Sequence, residues 1–371
     1  MKKIILILFI GICVMLFFYG VLVGHNQFFP FTLMKDLKLV VFNDKKYSSE
    51  EFLIQENQDY DKLININNKD EVKQERLLIY DFLWNSKELP LTLPSSVEKN
   101  FQDERYSKIE NLSDIDKIIV NMDYEINSVV YHFHAKNPNN KLIIYHQGHR
   151  GDFYQGVETI EFFLEKNYDV LAFSMPLLGM NNQPIVETNF GKIQLSSHYS
   201  FNTLDSSKKS PLRFFIEPIS VVLNYIDKDF QYSSYSFVGL SGGGWTAIVY
   251  SAIDPRIENT FSIAGSYPIF IRQEQKNYGD YEQILPEFYS IANYLDLYIM
   301  GSFGENRKLI QIFNEFDPCC FSGDFSRLYE NSIKLKISEL GFGSFQTMID
   351  DSHKEHKISQ KILKVIINEL E

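Results

Sequence analysis

The chain has 371 residues, of which 44% are hydrophobic, 15% aromatic and 23% charged, as in a globular protein with room for one large or two modest domains. Its formal net charge of −12, without any basic stripe, excludes a nucleic-acid-binding surface and repels anionic substrates at long range. The three cysteines, Cys13, Cys319 and Cys320, indicate no disulfide framework, because the last two are adjacent and poorly placed to bridge each other.

Residues 1–24 predict a transmembrane anchor. Lys2 and Lys3 precede an apolar run that continues to about residue 24, long enough to cross a bilayer core of about 30 Å. A cleaved signal peptide, which would leave a secreted protein, is the alternative, but the end of the run lacks a small-x-small cleavage site. The two lysines favour a cytoplasmic N-terminus and an extracytoplasmic position for the rest of the chain.

The next segment, residues 25–116, carries few signals. Residues 48–51 have the composition of a helix start, and residues 70–84 show helical spacing of apolar side chains. We expect a stalk followed by helices that pack on the main domain. A separate binding module is the alternative, although no motif marks one.

From residue 117 to residue 371, short apolar strands alternate with amphipathic helices. This alternation predicts an α/β domain with a mainly parallel, doubly wound sheet covered on both faces. Two long insertions, near residues 177–209 and 269–307, follow the carboxyl ends of strands, where open α/β sheets place their ligand sites. We interpret both as candidate lids; the second is rich in Tyr and Phe, for which packing of a helical insertion is the default explanation.

A glycine-containing loop follows the buried strand at residues 142–145. In this loop, the backbone amide of Gly148 or His149 could face a developing oxyanion. A metal site that uses His132 and His134 together with the loop histidines is an alternative, but no carboxylate stands among these residues at ligand spacing. The sequence therefore predicts neither a metal site nor a cofactor.

The strongest motif is the Gly-x-Ser-x-Gly pattern centred on Ser241. An apolar strand leads into it, and a helix-like segment from Trp245 follows at once, so that the pattern reads strand, sharp turn, helix. Gly239 and Gly243 avoid collisions with the adjoining elements, and the amide of Gly242 could donate to an oxyanion. A glycine-rich turn without any chemistry is the alternative.

A serine nucleophile needs an imidazole as base and a carboxylate to orient it. Only His353 and His356 follow Ser241, in the loop before the last helix; we choose His356, which is nearer to that helix, and keep His353 as the alternative base. Asp317, in the turn after the strand at residues 309–313, is the candidate acid, since strand, turn and chain order agree.

With these motifs, residues 117–371 resemble the α/β-hydrolase superfamily, and the Ser-Gly-Gly-Gly-Trp and Asp-Pro-Arg-Ile segments are similar to those of acetyl-xylan-esterase-like and dienelactone-hydrolase-like branches. The resemblance implies acyl transfer by Ser241, Asp317 and His356, hence a carboxylic ester hydrolase. Small-molecule, glycan and lipid esters all stay open as substrates. Two alternatives are a peptidase of the same fold and a catalytically silent hydrolase fold that serves as a binding protein at the membrane.

Overall fold

The computed structural model describes residues 9, 11–20, 59–272 and 277–371 of the chain. The chain divides into two units, Met1–Glu56 and Asn57–Glu371. Residues 9 and 11–20 are helical, and the rest of the predicted anchor, like the helix start at residues 48–51, lies outside the described residues. Among the described residues, no helix combines the length and the apolar character needed to span a membrane. The anchor therefore stays a prediction.

A nine-stranded sheet organises the second unit, with the strands in the spatial order β1-β2-β3-β5-β4-β8-β9-β10-β11. The strands from β5 to β11 in this order are parallel, whereas β1, β2 and β3 join antiparallel at one side. The strands are β1 Ser96–Glu98, β2 Leu112–Asn121, β3 Asn127–Ala135, β4 Lys141–His146, β5 Asp169–Phe173, β8 Ser234–Leu240, β9 Ile257–Ile263, β10 Lys308–Asn314 and β11 Ser344–Asp350. A separate hairpin consists of β6 Ile185–Thr188 and β7 Gly191–Gln194.

Helices follow the strands as the alternation predicts. They are α1 Lys69–Trp84, α2 Val157–Glu165, α3 Glu217–Asp229, α4 Gly242–Ile253, α5 Tyr281–Ile284, α6 Pro286–Tyr289, α7 Tyr294–Ser302, α8 Glu330–Leu340 and α9 Gln360–Leu370. Short 3₁₀ turns occur at Tyr60–Leu63, Glu104–Tyr106, Asp123–Glu125, Phe153–Gly156, His198–Thr203, Pro211–Phe215, Ile269–Ile271 and Phe325–Leu328. The predicted α/β architecture with a mainly parallel sheet is confirmed.

Alternating apolar side chains cover both faces of the sheet. In β8, Phe237 belongs to one core cluster, and its neighbours Val238 and Leu240 belong to the other. The first cluster includes buried residues of α1, α3, α4, α7 and α8, and the second includes those of α2 and α9. Burial on both faces explains why the parallel strands read as nearly continuous apolar runs in the sequence.

Residues 59–116 contribute more than packed helices. Helix α1 lies against α4, where Arg76 Nε donates to the Ala252 carbonyl at 2.9 Å and the Tyr80 hydroxyl donates to the Ile253 carbonyl at 2.6 Å. Strand β1 and the first residues of β2 also come from this segment and extend the sheet. The sheet thus begins before residue 117, at Ser96.

The two predicted insertions differ in structure. The first, near residues 177–209, contains the β6–β7 hairpin and the 3₁₀ turn at His198–Thr203. The second, near residues 269–307, contains α5, α6 and α7, and its Tyr289 is buried with the hydroxyl 2.7 Å from Trp245 Nε1 of α4. Most of its aromatic side chains belong to the core, as packing of a helical insertion requires.

Candidate active site

The turn between β8 and α4 holds Ser241 in a conformation that is rare for a residue with a side chain, with φ 58° and ψ −127°. The N–H of Ser241 donates to the Ile263 carbonyl of β9 at 2.8 Å, which ties the turn to the neighbouring strand. The serine then directly precedes the first turn of α4, whose free amides carry a partial positive charge. A strand, a strained serine and a helix N-terminus therefore occur where the sequence predicts them.

The glycines around Ser241 are required by close backbone contacts. A Cβ atom on Gly239 would lie 2.1 Å from the Gly243 carbonyl oxygen, and one on Gly243 would lie 2.1 Å from the His146 carbonyl oxygen. Gly148 has φ +81°, and a Cβ atom on it would lie only 2.3 Å from the Leu240 carbonyl oxygen. The loop after β4 is thus pressed directly against the serine turn.

Asp317 and His356 contact each other directly, with Oδ2 of Asp317 2.7 Å from Nδ1 of His356. Oδ2 also accepts from Asn314 Nδ2 at 3.1 Å, and Oδ1 accepts from the Cys319 N–H at 2.8 Å. Burial alone would raise the pKa of Asp317, but its hydrogen bond to His356, the charge of His356 and the other donors lower that pKa below its usual value. An ionised Asp317 keeps a proton on Nδ1 and leaves Nε2 of His356 able to accept one.

His353, the alternative base, has different partners. Its Nδ1 accepts the N–H of Glu355 at 3.1 Å, and its Nε2 lies 3.2 Å from Oδ2 of the fully buried Asp350. His353 therefore directs Nδ1 to its own loop and Nε2 toward Asp350 at the end of β11, whereas His356 contacts the candidate acid Asp317 and lines the pocket with Ser241. The geometry favours His356 over His353 as a base.

One pocket of about 480 Å³ brings Ser241 and His356 together with His149 and Cys319. A smaller neighbouring pocket of about 240 Å³ also includes Ser241, beside Asp280. Both pockets lie at the carboxyl edge of the parallel strands, where the sequence predicts the ligand site.

The expectation for the cysteines is wrong. Cys319 and Cys320 form a disulfide with each other, although they are adjacent in the chain. The turn that presents Asp317 bends the backbone enough for neighbouring side chains to meet, and both cysteines line the smaller pocket. In the described part of the chain, Cys13 is the free cysteine.

The loop after β4 places its two histidines in different roles. His146 is buried, and its Nδ1 accepts the N–H of Gly148 at 3.2 Å. Burial, together with the charges of His149 and His198, lowers the pKa of His146 to about 3, so that this ring is neutral. His149 lies over the serine turn, since a Cβ on Gly242 would be 2.4 Å from its Cε1.

Neither a protein-family model nor a curated protein sequence matches the chain. Solved structures do match it. An acetyl xylan esterase from Paenibacillus sp. R4 superposes with a TM-score of 0.52 and 11% identity over 82% of this chain and 94% of the other. A glucuronoyl esterase from Solibacter usitatus gives a TM-score of 0.51 and 12% identity over 80% and 90% of the two chains. The chain has the α/β-hydrolase fold.

Within this α/β-hydrolase fold, the four histidines weighed as metal ligands fall into separate groups. The rings of His132 and His134 are tilted by 49° with centroids 4.0 Å apart, and His134 contacts Asp116 and Asp169 of β5. His146 and His149 belong to the loop beside the serine instead. The structure does not bring these four side chains to one centre.

Three residues of the site escaped sequence reasoning. Asn314 is the last residue of β10, and its Nδ2 donates to Oδ2 of Asp317 at 3.1 Å and to the Lys357 carbonyl at 3.2 Å. Glu282 and His198, one from each insertion, form a buried group with His149. A polar residue at the end of a strand could have signalled Asn314, but no local pattern links residues as distant as 149, 198 and 282.

Proposed function

We propose that this protein is a serine hydrolase that cleaves carboxylic esters through an acyl-enzyme. The observation that carries the proposal is the 2.7 Å contact of buried Asp317 with His356, which lines a pocket together with the strained Ser241. These three side chains come from the ends of β8 and β10 and from the loop after β11, in the chain order that the fold uses for nucleophile, acid and base.

In the proposed mechanism, Ser241 attacks the ester carbonyl while Nε2 of His356 takes the proton of the hydroxyl. Asp317 fixes the tautomer of His356 and stabilises the imidazolium that forms. The amides of Gly242 and His149 stabilise the oxyanion, since the amide of Gly148, the other loop candidate, already donates to Nδ1 of His146. His356 then protonates the departing alcohol, and a water molecule, activated by the same base, hydrolyses the acyl-enzyme.

The substrate we propose is an ester of a glycan or of a small molecule. The structural neighbours include an acetyl xylan esterase and a glucuronoyl esterase, which supports this class over a peptide.

We further propose that residues 1–24 anchor the protein in a membrane with the hydrolase unit on the extracytoplasmic side. The apolar run and the two lysines before it support this arrangement. Extraction of membranes at high pH distinguishes an anchored chain, which stays in the pellet, from a secreted chain whose signal has been removed.

The decisive experiment treats the full chain with a fluorophosphonate and measures its intact mass. We expect a single adduct that disappears in Ser241→Ala and in His356→Ala but persists in His353→Ala. Loss of the adduct only in His353→Ala would reassign the base. A folded parent chain that forms no adduct would refute the hydrolase proposal and favour a silent binding protein.

A further inference from the structure

A second group of functional side chains lies beside the serine turn. Nε2 of His149 is 2.9 Å from Oε1 of Glu282, and Nδ1 of His198 is 3.3 Å from Oε2 of the same carboxylate. One ligand atom from each of the three residues lies within 4.8 Å of the others. Nε2 of His149 also lies 3.2 Å from Oδ2 of Asp280, a residue that lines the smaller pocket. Two imidazoles and the carboxylate of Glu282 thus converge on one point, and the carboxylate of Asp280 lies beside His149.

Burial makes this convergence unusual. The side chain of Glu282 has 0% exposure, and that of His198 has 6%. Among the described residues, neither oxygen of Glu282 accepts a hydrogen bond, and Nε2 of His149 has no hydrogen-bond partner either. A buried carboxylate is costly unless its oxygens are satisfied. The imidazole nitrogens therefore approach the carboxylate oxygens of Glu282 to 2.9 and 3.3 Å without the geometry of hydrogen bonds. Ligand atoms that point toward a shared metal ion approach one another in this way.

The distances also match a metal site. Two ligand atoms at about 2.0–2.2 Å from a tetrahedral Zn²⁺ are separated by roughly 3.3 Å. The backbone carbonyl of Pro176 lies 3.0 Å from Nε2 of His198, so this nitrogen carries the proton and Nδ1 keeps its lone pair toward the cluster. An outer hydrogen bond of this kind is the usual partner of a metal-binding histidine.

We propose that His149, His198 and Glu282 bind a divalent cation, while the carboxylate of Asp280 lies beside His149 on the pocket side. Imidazole nitrogens and carboxylate oxygens in this ratio suit Zn²⁺ best among the common cations. The cation neutralises the carboxylate of Glu282, whose side chain is fully buried. It also joins the loop after β4 to both insertions, and so holds His149 against Gly242 beside the serine.

The rival explanation is an ion pair network in which Glu282 bridges two protonated imidazoles and no metal binds. Burial alone would raise the pKa of Glu282, but the charges of His149 and His198 lower that pKa below its usual range, so the carboxylate is ionised under either explanation. Metal content distinguishes the two, because the network leaves no room for a cation between its members.

The test uses the full chain, stripped with a chelator and then given one equivalent of ZnCl₂ or CoCl₂. After gel filtration, we expect close to one zinc per chain by elemental mass spectrometry, and a visible tetrahedral spectrum for the cobalt form. Removal of a residue that only hydrogen-bonds to a ligand lowers metal affinity by about 10–100-fold. Since His198→Ala and Glu282→Gln remove ligands themselves, each should lower zinc affinity by more than that. Thermal unfolding of the parent chain should shift upward with zinc but not with Mg²⁺.

Two matched controls address the other metal candidates. His134→Gln removes a histidine that also contacts carboxylates, and a Cys319→Ser, Cys320→Ser double variant removes the disulfide sulfur atoms near His356. Both should keep the parent stoichiometry. A folded parent chain that remains free of zinc, or zinc binding that survives in both His198→Ala and Glu282→Gln, would overturn the proposal. Because the readouts are metal content, spectrum and stability, they stand apart from whether Ser241 is a nucleophile.

Discussion

Replacement of Asp317 by asparagine tests the proposed triad with minimal change in shape. The side-chain oxygen of the asparagine can still accept the hydrogen bond from the Cys319 N–H, so the NH₂ group takes the place of Oδ2. That group then faces two donors, Asn314 Nδ2 at 3.1 Å and His356 Nδ1 at 2.7 Å. Asn314 cannot turn freely, because the same nitrogen also donates to the Lys357 carbonyl at 3.2 Å. His356 must therefore accept at Nδ1.

This tautomer carries its proton on Nε2 and cannot take another from Ser241. In other triads the same exchange lowers kcat by about 10⁴-fold, which corresponds to about 5 kcal/mol of activation free energy. In Asp317→Asn, the new NH₂ group faces the donor Nδ2 of Asn314, and this contact should also cost about 1–3 kcal/mol of folding stability. The assay is turnover of a chromogenic acetyl ester, together with the rate of fluorophosphonate labelling and a urea unfolding curve.

Glu315→Gln is the matched control, because Glu315 lies in the same turn but is exposed. It makes the same chemical change without touching His356, and kcat should stay within about twofold of the parent. A folded Asp317→Asn protein that keeps more than about one-tenth of the parent kcat would refute the reasoning, as would an equal loss in Glu315→Gln.

Two further predictions concern stability. Gly243→Ala places a Cβ 2.1 Å from the His146 carbonyl oxygen and should cost at least about 2–3 kcal/mol in urea unfolding, whereas Gly191→Ala, with φ +95° and open space, should cost only about 1 kcal/mol; equal losses would contradict the packing argument. Burial alone would lower the pKa of His134, but hydrogen bonds and charges of Asp116 and a second aspartate raise it to about 9. Folding therefore favours protonated His134, which adds up to roughly 3 kcal/mol to the free energy of unfolding below pH 6.5. This contribution should be lost as the pH rises through about 9. Unfolding curves across this range should show that loss in the parent and not in His134→Gln; parallel curves would refute it.

Local patterns in the sequence carried much of the fold. The run before Ser241 is apolar, and Gly239 and residues 242–244 place glycines on both sides of the serine, so that the strand, the turn and the helix follow from side-chain shape. The same holds for β10 and the turn with Asp317, where an apolar strand stops at Asn314. Chain order then predicted that Asp317 and His356 meet, because the carboxyl ends of parallel strands share one edge.

Other features depend on contacts that no local pattern records. Strand β1 has only three residues, Ser96–Glu98, with no buried side chain, and it exists because β2 offers hydrogen-bonding groups. The Cys319–Cys320 disulfide depends on the backbone bend after Asp317. The partners of His149 come from two insertions, and only tertiary structure brings His198 and Glu282 to it.

Helix α1 and strands β1 and β2 have a consequence for how the hydrolase unit could be isolated. A fragment that starts at residue 117 would leave the carbonyls of Ala252 and Ile253 without the side chains of Arg76 and Tyr80. It would also strip β2 of its first residues and expose part of the β3 edge, and a bare strand edge recruits other chains. Such a fragment would aggregate even with every proposed catalytic residue present, so a soluble form for crystallisation should begin before Tyr60, ahead of the first 3₁₀ turn of this unit.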